Sequence, residues 1–287
     1  VTSTKVPTIV DHPWSDGFAW QRSTGPFRRL TAAQAAQFDD EGYVVLDGVF
    51  TADELAPVVA DLDRYEARMD EFMRSQDGDR FMIGEAGAIT FSPHAVVRSE
   101  AARQLAAHPA IVELCYDLVG PDVRLYWDQL VYKKPEKPRR FPWHQDNGYT
   151  FIEPQQYLTC WIALNDATVH NGCPQVVPGL HARGTLRHTY VEPLGWECFA
   201  DHPDAVAAPV GAGGIAVFSS LTPHLTGPNT TDGVRKAYIL QYAPEGAHTM
   251  VGDPDAGPPT TTTRCDAPDR QFPVLVGGQP VAPPNDG

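Results

Sequence analysis

From Val123 to about residue 245 the chain is a succession of short β-rich runs: "VRLYWDQLVYK", "QQYLTCWIAL", "GCPQVVPG", "GGIAVFSS" and "RKAYILQYA". Pro, Gly and Asn turns separate them, and helical periodicity is almost absent. Short runs of β-branched and aromatic residues bounded by turn residues specify antiparallel strands. A stretch made of little else must close on itself or pair with a second sheet, as in a sandwich or jelly roll. The expected fold class is therefore mainly β, with added α-helices in front.

Those helices announce themselves by their starts. "TAAQ" (31–34) and "TADE" (51–54) each place a threonine three residues before Gln or Glu, the reciprocal cap of a helix N-terminus. The first helix stops at Gly42, "YVVLDGVF" between the two reads as a strand, and Leu55, Val58, Val59 and Leu62 keep helical spacing after the second. A further helix pair runs from Ser99 to Leu118, its second half started by Pro109 and its end marked by Gly120. No internal repeat is visible. The expected organisation is one domain over 1–287: an irregular arm (1–29), a mainly helical part (30–122), a jelly-roll core (123–245) and a Pro-rich tail (246–287). The segment from Pro244 onward holds 9 of the 27 prolines, so the tail is either an ordered wrap or a mobile flap.

Charge and cysteine use narrow the function. The net charge is −14, which argues against nucleic acid or an anionic membrane as partner, since both require a basic face. No run approaches the roughly 18 apolar residues of a membrane span, and the first residues show no signal-peptide core. The five cysteines are scattered and form no CxxC, which fits a cytoplasmic protein and argues against a disulfide framework or zinc ribbon.

Within "FPWHQDNGY" (141–149), His144 and Asp146 stand two apart. In an extended segment both side chains point the same way, as a hydrogen-bonded pair or as two ligands of one metal. A third ligand would have to come from a distant strand. His12, His94, His108, His170, His202 and His248 lie beside turns, in helical stretches or in the tail, where a solvated imidazole is the simple reading. His181 and His188 flank a loop, and His224 remains, just after a β-run. Eleven residues later Arg235 opens the next strand, and a hairpin would set it beside His224. Two histidines and one carboxylate leave three coordination positions open and suit non-haem Fe(II). A nearby guanidinium fork suits the far carboxylate of 2-oxoglutarate.

These residues carry a resemblance. The sequence resembles the phytanoyl-CoA dioxygenase family of Fe(II)/2-oxoglutarate oxygenases over roughly residues 30–245, through "LTAAQAAQFDDEGYVVLDGVFTADEL", "WHQDNGY", "NGCPQVVPGLH" and "PHLTGPNTTDGVR". The resemblance implies a double-stranded β-helix (cupin-like jelly roll) with N-terminal helices packed on it. It implies Fe(II) on His144, Asp146 and His224, with 2-oxoglutarate and O2 as cosubstrates and ascorbate as reductant in vitro. Arg235 would anchor the C5 carboxylate; Thr226, Trp161 and Gln129 are further cosubstrate contacts. The implied reaction hydroxylates an unactivated C–H of a small molecule and releases succinate and CO2. Retention of Asp146 favours oxidation over halogenation, for which the superfamily puts Gly or Ala there. The long segment that ectoine hydroxylases carry around this motif is absent from "WHQDNGYTFIEPQQY". The competing readings are a cupin-type metal-dependent isomerase or lyase and a non-catalytic binding module.

Trp143, Tyr149 and the "LYW" run (125–127) read either as a dry wall of the site or as core. "KKPEKPRR" (133–140) holds five basic residues and leads into the His144 segment. It is either a solvated loop or a positive field steering an anionic substrate.

Overall fold

The computed structural model describes residues 7–284. The two threonine caps form as the sequence specifies. Thr31 accepts from the Gln34 amide and Thr51 from that of Glu54, opening helices Ala32–Glu41 and Ala52–Arg74. The first ends at Gly42, whose φ of 83° favours glycine. A Cβ there would also come within 2.5 Å of the His181 ring and the Thr222 hydroxyl. The Gly42 carbonyl accepts from the Ser219 amide and the Thr222 hydroxyl, tying this helix end to the turn that leads into His224. Helices Glu100–Ala106 and Pro109–Leu118 complete the layer.

The main sheet is antiparallel and runs Tyr43–Leu46, Ile215–Ser219, Leu158–Ala163, Arg235–Pro244, Val123–Lys133, Ile89–Pro93. A short hairpin, Arg80–Phe81 with Gly84–Glu85, extends its far edge. Strand alternation divides the side chains between two faces. Leu130, Tyr132, Cys160, Ile162, Tyr238 and Leu240 point outward and form one core with helical residues such as Leu62, Ile111 and Leu114. Val131, Trp161, Ala216, Phe218, Ala237 and Ile239 point inward. A smaller sheet (Val206–Ala207, Pro174–Val176, His224–Thr226) faces that inner surface and closes the jelly roll.

One local reading is corrected, and two that were open are resolved. "ITFSP" (89–93), which the sequence left unassigned, is a strand of the main sheet beside Val123–Lys133. His224 and Arg235 do not share a hairpin: His224 pairs with Val176 in the small sheet, and Arg235 pairs with Lys133 in the large one. Of wrap or flap, the tail is a wrap. His248–Val251 pairs with Ile152–Glu153, and Pro273–Val276 joins the Val123 end of the main sheet, sending Val274 and Leu275 into the core. The arm from residue 7 is irregular and pinned: Ser15 donates to Gln155 and to the Thr185 carbonyl, and the Trp20 indole to Asp39.

Candidate metal centre

The inner face of the main sheet is organised in cross-strand rows. Lys133 pairs with Arg235; Val131 with Ala237 and Ala163; Gln129 with Ile239, Trp161 and Ala216; Trp127 with Gln241, Thr159 and Phe218. Successive rows are two residues apart, about 7 Å. The row of Gln241 and Thr159 supports a carboxylate, and the row of Arg235 and Lys133 supplies positive charge.

Asp146 lies over the first of these. His144 makes a bridge with His224 across the two segments, each amide donating to the other's carbonyl. The chain then leaves the extended conformation, so Asp146 opens a 3-10 turn and does not continue a regular strand. Gln145 between them is fully buried. Its amide donates to the Gly184 and Leu221 carbonyls and its oxygen accepts from the Leu186 amide. That anchor holds both neighbours.

Nε2 of His144 and of His224 lie 3.9 and 3.8 Å from Asp146 Oδ1. These gaps are too long for hydrogen bonds. The ligand atoms of the three residues all fall within 4.8 Å of one another, the separation one ion can bridge. Both Nδ1 atoms are already committed, to the Pro142 carbonyl at 2.9 Å and the Thr222 carbonyl at 3.0 Å. A carbonyl only accepts, so each Nδ1 carries the proton and each Nε2 keeps its lone pair toward the gap. Asp146 Oδ2 accepts from Thr159 at 2.5 Å, and Gln241 also hydrogen-bonds the carboxylate. Burial raises the Asp146 pKa and lowers that of His144.

Arg235 is completely buried. Its guanidinium lies 5.0 Å from the centre of the Trp161 ring, and one Nη donates to the Val131 carbonyl at 3.2 Å. Among the described residues, Nε and the other Nη have no hydrogen-bond partner. Burial pulls its pKa down from the ordinary value. A buried guanidinium with two idle donors is a costly arrangement unless an acceptor anion enters.

Trp161 and Gln129 share the row next to this guanidinium, although the Gln129 oxygen accepts from the Trp127 indole. Thr226 is buried two residues beyond His224, and its carbonyl accepts from Lys133 Nζ at 2.7 Å. Phe141, Tyr149 and Phe218 are the aromatics against the ligand histidines, with centroids at 4.8, 5.2 and 4.4 Å. Trp143 packs elsewhere, with Val177, Leu186 and Phe199, and Leu125 and Tyr126 belong to other clusters. Lys134 and Arg187, the remaining cations that could have served as anchors, pair with Glu66 and Asp255.

Sequence reasoning missed Thr159, Gln241, Lys133 and His188. His188 accepts from the Gln145 amide at 2.9 Å, and its Nδ1 faces the Leu186 carbonyl. Gly148 must be glycine because a Cβ there would sit 2.1 Å from that imidazole. The solvated reading fails for His202, which is buried, and for His12, which packs on Phe151 and has its pKa lowered to about 4 by burial.

In the basic loop every cation but Lys133 pairs with a carboxylate, Lys134 with Glu66 among them. Lys133 is buried on three carbonyls, Lys137 pairs with Asp79 and Glu85, Arg139 with Glu85, and Arg140 with Glu197.

Comparison with known proteins agrees with this geometry. The family model described as Phytanoyl-CoA dioxygenase (PhyH) matches residues 38–237. A rat protein named phytanoyl-CoA dioxygenase domain-containing protein 1 is 25% identical over 280 residues, covering 81% of this chain and 96% of that protein. The non-heme alpha ketoglutarate dependent carbocyclase SnoK from nogalamycin biosynthesis superposes with a TM-score of 0.65 at 25% identity, covering 78% of this chain and 89% of that one. The epimerase SnoN, solved with Fe3+, alpha ketoglutarate and a nogalamycin compound, gives a TM-score of 0.61 at 25% identity, covering 80% and 94%.

Proposed function

This chain belongs to the phytanoyl-CoA dioxygenase family, and from that premise we propose that it is a non-haem Fe(II)/2-oxoglutarate-dependent dioxygenase that hydroxylates an unactivated C–H of a small molecule. His144, Asp146 and His224 would hold the iron, and Arg235 would take the C5 carboxylate of 2-oxoglutarate. One observation carries the reading: a fully buried guanidinium with two idle nitrogens, on the same sheet face as Thr159 and Gln241, which hold Asp146. Arg235 and Gln241 are three rows apart, but the arginine reaches back to Trp161. About one row, roughly 7 Å, then separates guanidinium from metal end, the length of a five-carbon dicarboxylate.

When bound, the iron supplies oxidation of the substrate C–H by O2, coupled to conversion of 2-oxoglutarate to succinate and CO2. The chain's own residues supply position. The two fixed tautomers and the Thr159 and Gln241 hydrogen bonds hold the ligand atoms in place before the metal arrives. Three protein ligands would leave room on a bound iron for cosubstrate and oxygen. Trp161 and Ile239 wall the cosubstrate channel with apolar surface, and Thr226 and Gln129 are proposed as its polar contacts. Phe141, Tyr149 and Phe218 keep water from the histidines. We also read residues 1–287 as one oxygenase domain, supported by the tail strand that completes the main sheet.

The test is metal dependence. Chelated protein should form no succinate from 2-oxoglutarate and should recover with Fe(II) and ascorbate. Equal recovery with Zn(II) would replace this reading with that of a cupin-type isomerase or lyase.

A further inference from the structure

Exposed apolar side chains scattered singly need no explanation. Four in this molecule are not scattered. Phe81 and Met82 occupy the tip of the hairpin between Arg80–Phe81 and Gly84–Glu85. Tyr190 and Trp196 face each other across the paired strands Thr189–Val191 and Gly195–Glu197, with ring centroids 5.7 Å apart.

The two hairpins meet. A Cβ on Gly195 would lie 3.3 Å from Ile83 Cγ2, and Arg80 reaches Glu192 at 3.9 Å. Under the meeting point is Tyr149, whose hydroxyl is 2.8 Å from the same Gly195 position and whose ring packs edge-on against ligand His144. A chain of contacts therefore leads from the exposed hairpins through Ile83, Gly195 and Tyr149 to His144. Met82 adds a second sign. It is 82% exposed with a φ of 54°, a left-handed conformation that a side chain larger than glycine adopts at a cost of about 1 kcal/mol or more. The two-residue hairpin loop requires the positive φ, but glycine, not an exposed thioether, is the residue that meets it without strain.

The charges around the mouth decide what enters. Arg80 and Arg139 share Glu85, and Arg140 pairs with Glu197 at 2.8 Å. With Glu192 3.9 Å from Arg80, three carboxylates face these three guanidiniums, so a phosphate, carboxylate or acyl-CoA would meet little net positive charge there. Arg140 keeps one buried Nη without a hydrogen-bond partner, which suits a neutral acceptor such as a carbonyl or hydroxyl oxygen.

The geometry points to a neutral, ring-bearing apolar substrate larger than the iron pocket, its non-reacting part held between Met82 and Trp196 while its reacting carbon passes Tyr149. The assignment rests on the oxygenase reading for which end reacts, and its test is independent of iron. N-phenyl-1-naphthylamine, a neutral arene that fluoresces in apolar surroundings, and its 8-sulfonate are titrated into the full chain.

The neutral probe should bind saturably at one per chain. Trp196→Ala and Met82→Ser should each weaken it tenfold or more, with Tyr190→Ser as a third variant. Val276→Ser, at a comparably exposed valine on the tail strand, should leave it unchanged. The sulfonate should bind no more tightly than the neutral probe. All four positions are exposed, and near-ultraviolet circular dichroism verifies that each variant is folded. Undiminished binding by the Trp196 and Met82 variants, or a sulfonate that binds tenfold tighter, overturns the inference. The Fe(II)/2-oxoglutarate absorbance of the wild-type protein is recorded separately. Its absence would remove the oxygenase reading whatever the probe does.

Discussion

Arg235 shows how much one side chain can decide. Burying a guanidinium with two donors unpaired costs several kcal/mol, and an anion bound there, as proposed for the cosubstrate, would offset it. Lysine would not substitute, because a point charge on a flexible stem does not present the planar fork that a carboxylate matches. Arg235→Ala leaves the guest carboxylate unpaired at a cost of about 3–5 kcal/mol. The KM for 2-oxoglutarate in succinate formation should therefore rise at least 100-fold, with Fe(II) binding retained. An unchanged KM would move the anchor to another residue. His144 and Asp146 could be picked out in the sequence because they stand two apart, whereas His224 and Arg235 came only as candidates from distant runs. Thr159 and Gln241 could not be picked out. A threonine and a glutamine in β-runs look like any other, and only the register Gln241 opposite Thr159 places both under Asp146.

At the level of elements, the sequence read the long strands well, with Val123–Lys133 matching its run from end to end. It read the relation between His224 and Arg235 badly. Eleven residues of spacing suggested a hairpin, whereas the chain crosses from the small sheet to the large one between them. Sheet membership depends on which face of each strand is buried, and a three-residue strand such as His224–Thr226 carries too little pattern to tell. The segment that holds His144 and Asp146 raises a similar point. It has little regular structure of its own and is held from outside by Gln145 and His188. Burial pushes the His188 pKa to about 4, against an ordinary 6.5. Between those values the unfolded chain binds a proton that the fold refuses, so this group makes stability rise with pH from about 4 to about 6.5 and adds nothing above. The melting temperature of metal-free protein should fall as pH drops through that window. His12 and His144 are shifted in the same direction and steepen the fall. His188→Phe should melt lower at pH 7.5, by the roughly 1–3 kcal/mol of a Gln145 amide left without an acceptor, and should show a shallower acid limb. An acid limb of unchanged slope would assign the pH dependence to the other histidines.

For the molecule as a whole, composition and interior have opposite signs. The chain carries −14, yet side by side under the inner sheet lie Lys133 and Arg235, both buried. Among the described residues neither forms an ion pair with a carboxylate; Lys133 is held by backbone carbonyls alone. Burial and the neighbouring Arg235 both pull the Lys133 pKa down. Net charge says nothing of this arrangement, because it averages a screened surface with an interior that salt does not reach. The surface acids repel anions in general. Under the proposed function Arg235 takes one carboxylate of the cosubstrate, and binding there should stabilise the fold by mass action. At 100 times its dissociation constant a ligand adds about 2.7 kcal/mol, or roughly 5–10 °C in melting temperature for a chain of this size. Under anaerobic conditions with Fe(II), 2-oxoglutarate should raise the melting temperature by that amount. Because the Debye length is only a few ångströms in concentrated salt while buried pairs are little screened, most of the shift should survive 0.5 M NaCl. A shift that appears at low salt and vanishes at 0.5 M would mean that the cosubstrate is held by exposed charges, and that the buried pair of cations serves some other purpose.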